Sequence, residues 1–280
     1  MLKKLLPILF IGLSLSATSQ YRLTEFENSL KTSSSDIKDV IPVVDEIKDE
    51  IGLFIADAKN IYAYKLDKYF NVIEKLASPS KKRKYKVLLG SSISENGDYR
   101  IFASNKDQNQ FVTVNFSFKN QTSDIKEFKI KQFEDFIQTI SYKNKFYMIT
   151  GSRSKKSLSV YTFDDNGEIK RNRINHNSLF YVDKSGKKVI KVTDLLIDYN
   201  DLKKFEENTP NAIEAVSDSR KMYLRGNEAV FTFDINKEKT QVLVLNLDSL
   251  TVKDKTFKKP LLDIKSNRKK TNSFIHEDKI

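Results

Sequence analysis

The chain has 280 residues, a formal net charge of +12 and a pI near 9.4, and it contains no cysteine. That composition excludes a disulfide framework, thiolate catalysis, zinc clusters built on thiolates and lipid attachment at cysteine. With 19 Phe and 12 Tyr it is long and apolar enough to hold a fold by packing alone.

Residues 1–19 have the form of a secretory signal. Lys3 and Lys4 give a positive start, residues 5–16 are apolar, and Ala17-Thr18-Ser19 places small residues where a signal peptidase reads. Cleavage is expected between Ser19 and Gln20. The apolar run is shorter than the roughly 20 residues that span a bilayer, so the expected product is secreted or periplasmic. Residues 20–48 read as an arm or linker, polar through Ser33-Ser34-Ser35, with Val40-Ile41-Pro42-Val43-Val44 as a strand that could join the domain after it.

From residue 49 onward one unit recurs. Its leading strands are Gly52-Leu53-Phe54-Ile55-Ala56, Tyr99-Arg100-Ile101-Phe102-Ala103, Phe146-Tyr147-Met148-Ile149-Thr150 and Ala229-Val230-Phe231-Thr232-Phe233. The first two steps are each about 47 residues, a period that marks repeat architectures. Each leading strand is followed by a polar turn and a second apolar strand: Ile61-Tyr62-Ala63-Tyr64, Phe111-Val112-Thr113-Val114, Leu158-Ser159-Val160-Tyr161 and Val242-Leu243-Val244-Leu245. An alternating strand then closes the unit, as at Val72-Ile73-Glu74-Lys75 or Ile125-Lys126-Glu127-Phe128. Short apolar runs precede the units at Val87-Leu88-Leu89, Phe136-Ile137, Ala215-Val216 and Phe274-Ile275, giving four strands per copy.

Four-stranded units at this spacing are the blade pattern of β-propellers, and a β-sandwich shows no such constant period. The expected fold is therefore all-β, a propeller-like array of four-stranded blades over residues 49–280. A fifth copy opening at Ile280 makes the array look truncated at its C-terminus. The third step is too long by about 36 residues. The surplus, residues 175–211, is read as an insertion carrying a hairpin (Phe180-Tyr181-Val182 to Val189-Ile190-Lys191-Val192) and a helix near residues 201–207, stopped by Thr209-Pro210. As a candidate binding feature, it is expected to be removable without loss of the fold.

The segment Ser92-Ile93-Ser94-Glu95-Asn96-Gly97-Asp98-Tyr99-Arg100-Ile101-Phe102-Ala103-Ser104 resembles the Ser-Pro-Asp-Gly type of propeller repeat. Translocation protein TolB and the propellers of prolyl-oligopeptidase-type peptidases carry that repeat. Ser94, Gly97, Ile101 and Phe102 fit, whereas Glu95 and Asn96 replace the family's proline and aspartate. The chain is also similar to secreted proteins of Gram-negative bacteria. This resemblance implies a fold and no catalytic residue. The absence of tryptophan sets the tryptophan-marked propeller families aside.

Little in the chain points to chemistry. His176 and His276 have no partner at metal-ligand spacing, and no nucleophile elbow, Walker loop or dinucleotide fingerprint occurs. Asp164-Asp165-Asn166-Gly167-Glu168 has adjacent rather than alternating acids, which suits a β-turn better than a calcium loop. No catalytic, cofactor or metal site is assigned. The positive charge is mostly lysine rather than phosphate-gripping arginine, so nucleic acid is not the expected partner. Lys81, Lys82, Arg83 and Lys84, between the first and second units, form the one dense basic run. It reads as a solvated loop, with acidic glycans or lipid headgroups as its alternative partners. The expected function is an exported, non-catalytic binding or scaffold protein with a protein or glycan partner. The alternatives are the propeller part of a larger secreted hydrolase and a structural envelope component.

Overall fold

A computed structural model describes residues 24–27, 37–45, 48–155, 157–174, 180–182, 189–197, 202–206, 216–236, 238–260 and 272–275. The signal segment with Ser19 and Gln20, both histidines, Thr209-Pro210, Ala215 and Ile280 lie outside the described residues.

Four antiparallel sheets follow one another along the chain. Blade 1 is β1 (Asp39–Asp45), β2 (Glu50–Ala56), β3 (Ile61–Leu66) and β4 (Val72–Ala77). Blade 2 is β5 (Val87–Ile93), β6 (Tyr99–Ser104), β7 (Phe111–Ser117) and β8 (Thr122–Phe128). Blade 3 is β9 (Asp135–Tyr142), β10 (Lys145–Ser152), β11 (Ser157–Phe163) and β12 (Ile169–Ile174). After the hairpin β13 (Phe180–Val182) and β14 (Val189–Lys191) come helix α1 (Val192–Ile197) and β15 (Lys203–Phe205). Blade 4 then forms from β16 (Arg220–Arg225), β17 (Glu228–Phe233), β18 (Lys239–Asn246) and β19 (Val252–Lys258). In every blade each strand pairs only with its sequence neighbours, in the order of the chain. Among the described residues no sheet mixes strands from distant units, as a Greek-key sandwich would. The molecule is an all-β, propeller-like stack.

The residue pattern explains the stack. β6 is buried along its whole length, because alternate side chains leave a strand on opposite faces and both faces of blade 2 are covered. Tyr99 and Ile101, with Val114 and Phe116 on β7, pack against Phe54, Ala56, Ile61 and Ala63 of blade 1. Phe102 and Phe111 meet Phe146, Met148 and Tyr161 of blade 3; the Phe102 and Phe146 rings stack with centroids 3.7 Å apart. Blades 3 and 4 share a core of Ile149, Val160, Met222, Phe231, Leu243 and their neighbours. Among the fourth strands, β4 and β8 alternate half-buried and exposed residues, and β19 is exposed beyond Val252.

The first strands of blades 1, 2 and 3 lie side by side in the same direction and are stitched by polar groups. Thr139 Oγ1 donates to Leu89 O at 2.8 Å, and Ser141 Oγ both accepts from Ser91 N and donates to Ser91 O at 2.9 Å. Asp39 Oδ2 accepts Leu88 N at 2.9 Å across blades 1 and 2. Such close approach needs a glycine: a Cβ on Gly90 would lie 2.6 Å from Ser141 Oγ and 2.9 Å from the Phe146 ring, at φ 151°.

A second repeat lies in the turns. The turn after each second strand is capped by a side-chain oxygen that accepts backbone N–H groups: Asp57 from Lys59 and Asn60, Asn105 from Asn109 and Gln110, Ser152 from Lys155. In blade 4 Asn236 does the same for Glu238 and Lys239. The turns after the third strands repeat it with Asp67, Ser117, Asp164 and Asn246. Asx and Ser turns of this kind satisfy amides that a hairpin would otherwise leave open.

Several sequence expectations change. The strand in Val40–Val44 is β1, the first strand of blade 1, so residues 39–45 belong to the blade and not to the arm. Lys203–Phe205, expected as helix, is a strand running parallel to β16, with Phe205 opposite Tyr223. The edge of β16 gives these residues backbone partners while Phe205 reaches the core, which outweighs the helical spacing of Lys203-Lys204 and Glu206. The helix is α1 instead, and it belongs to the core: Leu195 and Leu196 are buried between blades 3 and 4. A Cβ on Gly151 would come within 2.8 Å of Ile197, so β10 carries a glycine where α1 is seated. This part of the insertion is therefore built into the core between blades 3 and 4. The first strand of blade 4 is Arg220–Arg225, not the run at Ala215-Val216. Phe274 and Ile275 form no strand; they pack on Phe205 and Tyr223 at the far face of blade 4.

Candidate binding groove

Strands alternate in direction within a blade, so the first and third turns of each blade emerge at the same end. There the β5–β6 turn of blade 2, the β9–β10 and β11–β12 turns of blade 3 and the β18–β19 turn of blade 4 enclose a groove of about 1180 Å³. Phe163, Ile169, Leu247 and Leu250 give it apolar walls.

One side chain sets its shape. Arg100 rises from the otherwise apolar β6 and is 7 % exposed. Its Nη1 and Nη2 donate to the carbonyls of Asp164 and Asp165 in the next blade, at 2.7 and 2.9 Å, and Nε donates to Asn115 Oδ1 at 2.7 Å. Burial pulls the guanidinium pKa down, and the nearby carboxylates, Asp164 foremost, pull it back. It stays cationic, as arginine does. Gly167 has φ 77°, and a Cβ there would meet the guanidinium at 3.1 Å. At the inner end Asn144, with φ 60°, accepts Ile93 N at 2.8 Å through its carbonyl and reaches Asp45 Oδ1 at 3.4 Å through Nδ2. Blade 3 thus contacts blades 1 and 2 through one turn residue.

Glu95, Asp164, Asp165, Glu168 and Asp248 line the groove against Lys143, Lys145 and Lys170. Arg100, the fourth cation, is committed to backbone carbonyls. In a chain of net charge +12, exposed carboxylates outnumber exposed ammonium groups in this groove. The Asp164–Glu168 segment is a turn, with Asp164 Oδ1 accepting Glu168 N at 2.7 Å. Ser94 Oγ accepts Asp98 N at 3.1 Å, so this hydroxyl also serves its own turn.

Of the buried carboxylates outside the groove, Glu134 and Asp234 are the centres of side-chain networks. Burial pushes the Glu134 carboxyl pKa up, but hydrogen bonds from Arg171, Tyr161, Ser159 and Thr150 outweigh that and hold it below the usual range. Asp234 is treated likewise: burial raises it, and Thr240 and Ser273 lead the groups that lower it. Lys221 and Lys259 stand 3.2 and 3.7 Å from the Asp234 carboxylate. Both carboxylates are stabilised as anions, which suits anchoring rather than proton donation near neutral pH.

The basic run does not present four cations to solvent. Lys81 is only 5 % exposed, and its Nζ donates to Asp57 O at 2.8 Å. Burial lowers its pKa to about 8. Lys259 makes the same bond in blade 4, to Asp234 O at 2.8 Å, so Lys81 is one copy of a repeated interior lysine. Lys82 pairs with Glu127 at 2.9 Å, Lys84 bonds Gln110, and Arg83 is exposed.

Arg100 and the interior lysines were missed by sequence reasoning. A lone arginine inside an apolar strand was the available sign for the first. Among the described residues no group of three or more His, Asp or Glu is placed to hold a metal ion. No helix among them is long and apolar enough to cross a membrane.

No protein-family model and no curated protein matches the chain. Among solved structures it is similar to a Lactobacillus plantarum protein at 8% identity, covering 76% of this chain and 53% of that one, with a TM-score of 0.36. It is also similar to a puromycin hydrolase at 8% identity, with 78% and 29% covered and a TM-score of 0.37. A third is the Nup133 β-propeller domain of Vanderwaltozyma polyspora, at 16% identity, with 85% and 55% covered and a TM-score of 0.35. The chain spans about half or less of these structures' own lengths. At such scores the order of the strands, and not these likenesses, carries the fold assignment.

Proposed function

We propose that the protein is an exported, non-catalytic binding module that holds a protein or glycan partner in the groove between blades 2, 3 and 4. The observation that carries this reading is the groove itself: four turns from three blades converge on one concavity, fixed by Arg100 and left with exposed, mixed charge. Loops presented by a rigid scaffold are where propellers place their binding surfaces. The excess of carboxylates argues against a polyanion there. Export rests on the signal-like residues 1–19, and residues 82–84 offer a second, weaker surface for acidic groups.

Site-directed photo-cross-linking in the source cells tests the reading. A cross-linking residue in place of Lys145 should give a discrete adduct, and one in place of Lys59, on the opposite set of turns, should not. Equal adducts from both positions, or none from Lys145, would overturn it.

A further inference from the structure

The groove between blades 2, 3 and 4 contains polar groups that the fold itself does not use. Tyr147 on β10 is only 4 % exposed, yet its hydroxyl has no hydrogen-bond partner among the described residues. Unlike the Tyr99 hydroxyl, it is not sealed from solvent, and the side chain lines the groove. The hydroxyl therefore opens on the groove floor. Ser92, buried on the blade 2 side of the same groove, also has a hydroxyl without a partner among the described residues. Buried polar groups are nearly always bonded, so two unspent hydroxyls at one concavity point to a ligand.

Asp248 of blade 4 stands near Tyr147. Burial raises the Tyr147 pKa, and the Asp248 carboxylate raises it further, so a neutral hydroxyl faces an anion. Asp248 is exposed, and its Oδ2 accepts Asn227 Nδ2 at 2.7 Å. Among the described residues no groove lysine forms a salt bridge with it; Lys143 instead lies over the Tyr142 ring, 5.3 Å from its centroid. The neighbouring walls are aliphatic. Leu247 and Leu250 pack on the core shared by blades 3 and 4, and Leu250 holds φ 54°, a backbone that leucine adopts only at a cost. No open aromatic face is offered for a sugar ring to stack on. Phe146 and Tyr147 are buried, and Phe163 packs edge-to-face with Phe102 and Phe128.

We propose, resting on the reading of this groove as the binding site, that its occupant is an extended peptide, and that Tyr147, Leu247, Asp248 and Leu250 form a subsite for one of its lysine or arginine side chains. The alkyl stem lies along the two leucines, while the cationic head donates to the Asp248 carboxylate and the Tyr147 hydroxyl oxygen. A groove of about 1180 Å³ is larger than one side chain needs. The rest of the peptide extends toward blade 2, where Ser92 bonds its backbone and Glu95, Asp165 and Glu168 add negative potential.

Selection of a phage-displayed random peptide library on the purified protein should enrich sequences with a lysine or arginine beside an aliphatic residue. A synthetic copy of the most enriched peptide should bind at least about tenfold more weakly to Tyr147→Phe and to Asp248→Asn. Added salt should weaken it as well. Because the Tyr147 hydroxyl bonds nothing in the fold, Tyr147→Phe should keep the wild-type Tm. Asp107→Asn, which removes an exposed carboxylate from the opposite set of turns, should leave binding unchanged. Enriched sequences without a basic position, no enrichment, unchanged affinity in either groove variant, or an equal loss in Asp107→Asn would overturn the proposal. If it is overturned while the Lys145 cross-link still gives its adduct, the groove reading stands with an occupant of another class, such as a glycan. Loss of both results ends the two together.

Discussion

At the scale of single residues, the interior charges decide where stability comes from. Glu134 accepts hydrogen bonds from four side chains while only 3% of its side chain is exposed. Replacing it with glutamine removes the anion that Arg171 and Tyr161 need, and Glu134→Gln should cost about 3 kcal/mol in urea unfolding at pH 7. The sign follows from the lowered carboxyl value. Its contribution is full above the ordinary carboxylate pKa and fades as pH falls through the folded value, so the variant and wild type should converge in acid. Parallel curves down to about pH 3 would show that the carboxylate is not the anchor.

Lys81 behaves in the opposite sense. A lysine whose value falls from 10.5 to about 8 on folding costs stability wherever it is charged in both states. Between pH 8 and 10.5 the unfolded chain binds the extra proton, so this lysine's contribution to stability rises with pH. The difference in urea midpoint between wild type and Lys81→Met, measured from pH 7.5 to 10, should shift steadily in favour of wild type. A pH-independent difference would contradict the assignment. Neither role was legible in the sequence, where Lys81 is one of a run of similar residues. What was available was the separation of the turn caps: Asn105 and Ser117, like Ser152 and Asp164, stand twelve residues apart.

At the scale of elements, strands were legible wherever both faces are buried. Ile101 to Ala103, Phe146 to Ile149 and Ala229 to Phe231 are buried and apolar without interruption. β16 was not legible because Arg220, Lys221 and Arg225 frame its two buried apolar residues, Met222 and Tyr223, and Lys221 is itself buried. α1 escaped because Val192 and Thr193 continue a β-branched run, and only tertiary packing makes consecutive Leu195 and Leu196 a helical wedge. That wedge carries a prediction. Leu196→Ala should destabilise the protein by about 2–4 kcal/mol, because it opens a cavity between blades 3 and 4. A loss below about 0.5 kcal/mol would place α1 at the surface, as residues outside the core usually behave.

At the scale of the whole molecule, the charge has a structural use. Exposed lysines and arginines decorate the outermost strands, including Lys75, Lys126, Lys170, Arg173, Lys253, Lys255 and Lys258. Charge on open sheet edges keeps such strands from pairing with other chains. This gives the net charge of +12 a role that needs no polyanion. The period of the repeat made this architecture visible in advance. The groove was not visible, because it is built from turns far apart in sequence that only the stacking of blades brings together.

The central claim is that consecutive four-stranded sheets stack radially, close at their first strands and diverging at their fourth. Because the chain has no cysteine of its own, pairs of spin labels can test it without background. One pair replaces Lys86 and Asp135, at the starts of β5 and β9, and the other replaces Lys126 and Arg173, on β8 and β12. Double electron–electron resonance should give a clearly longer distance for the outer pair than for the inner. Equal distances, or a shorter outer one, would mean flat facing layers and would contradict the account.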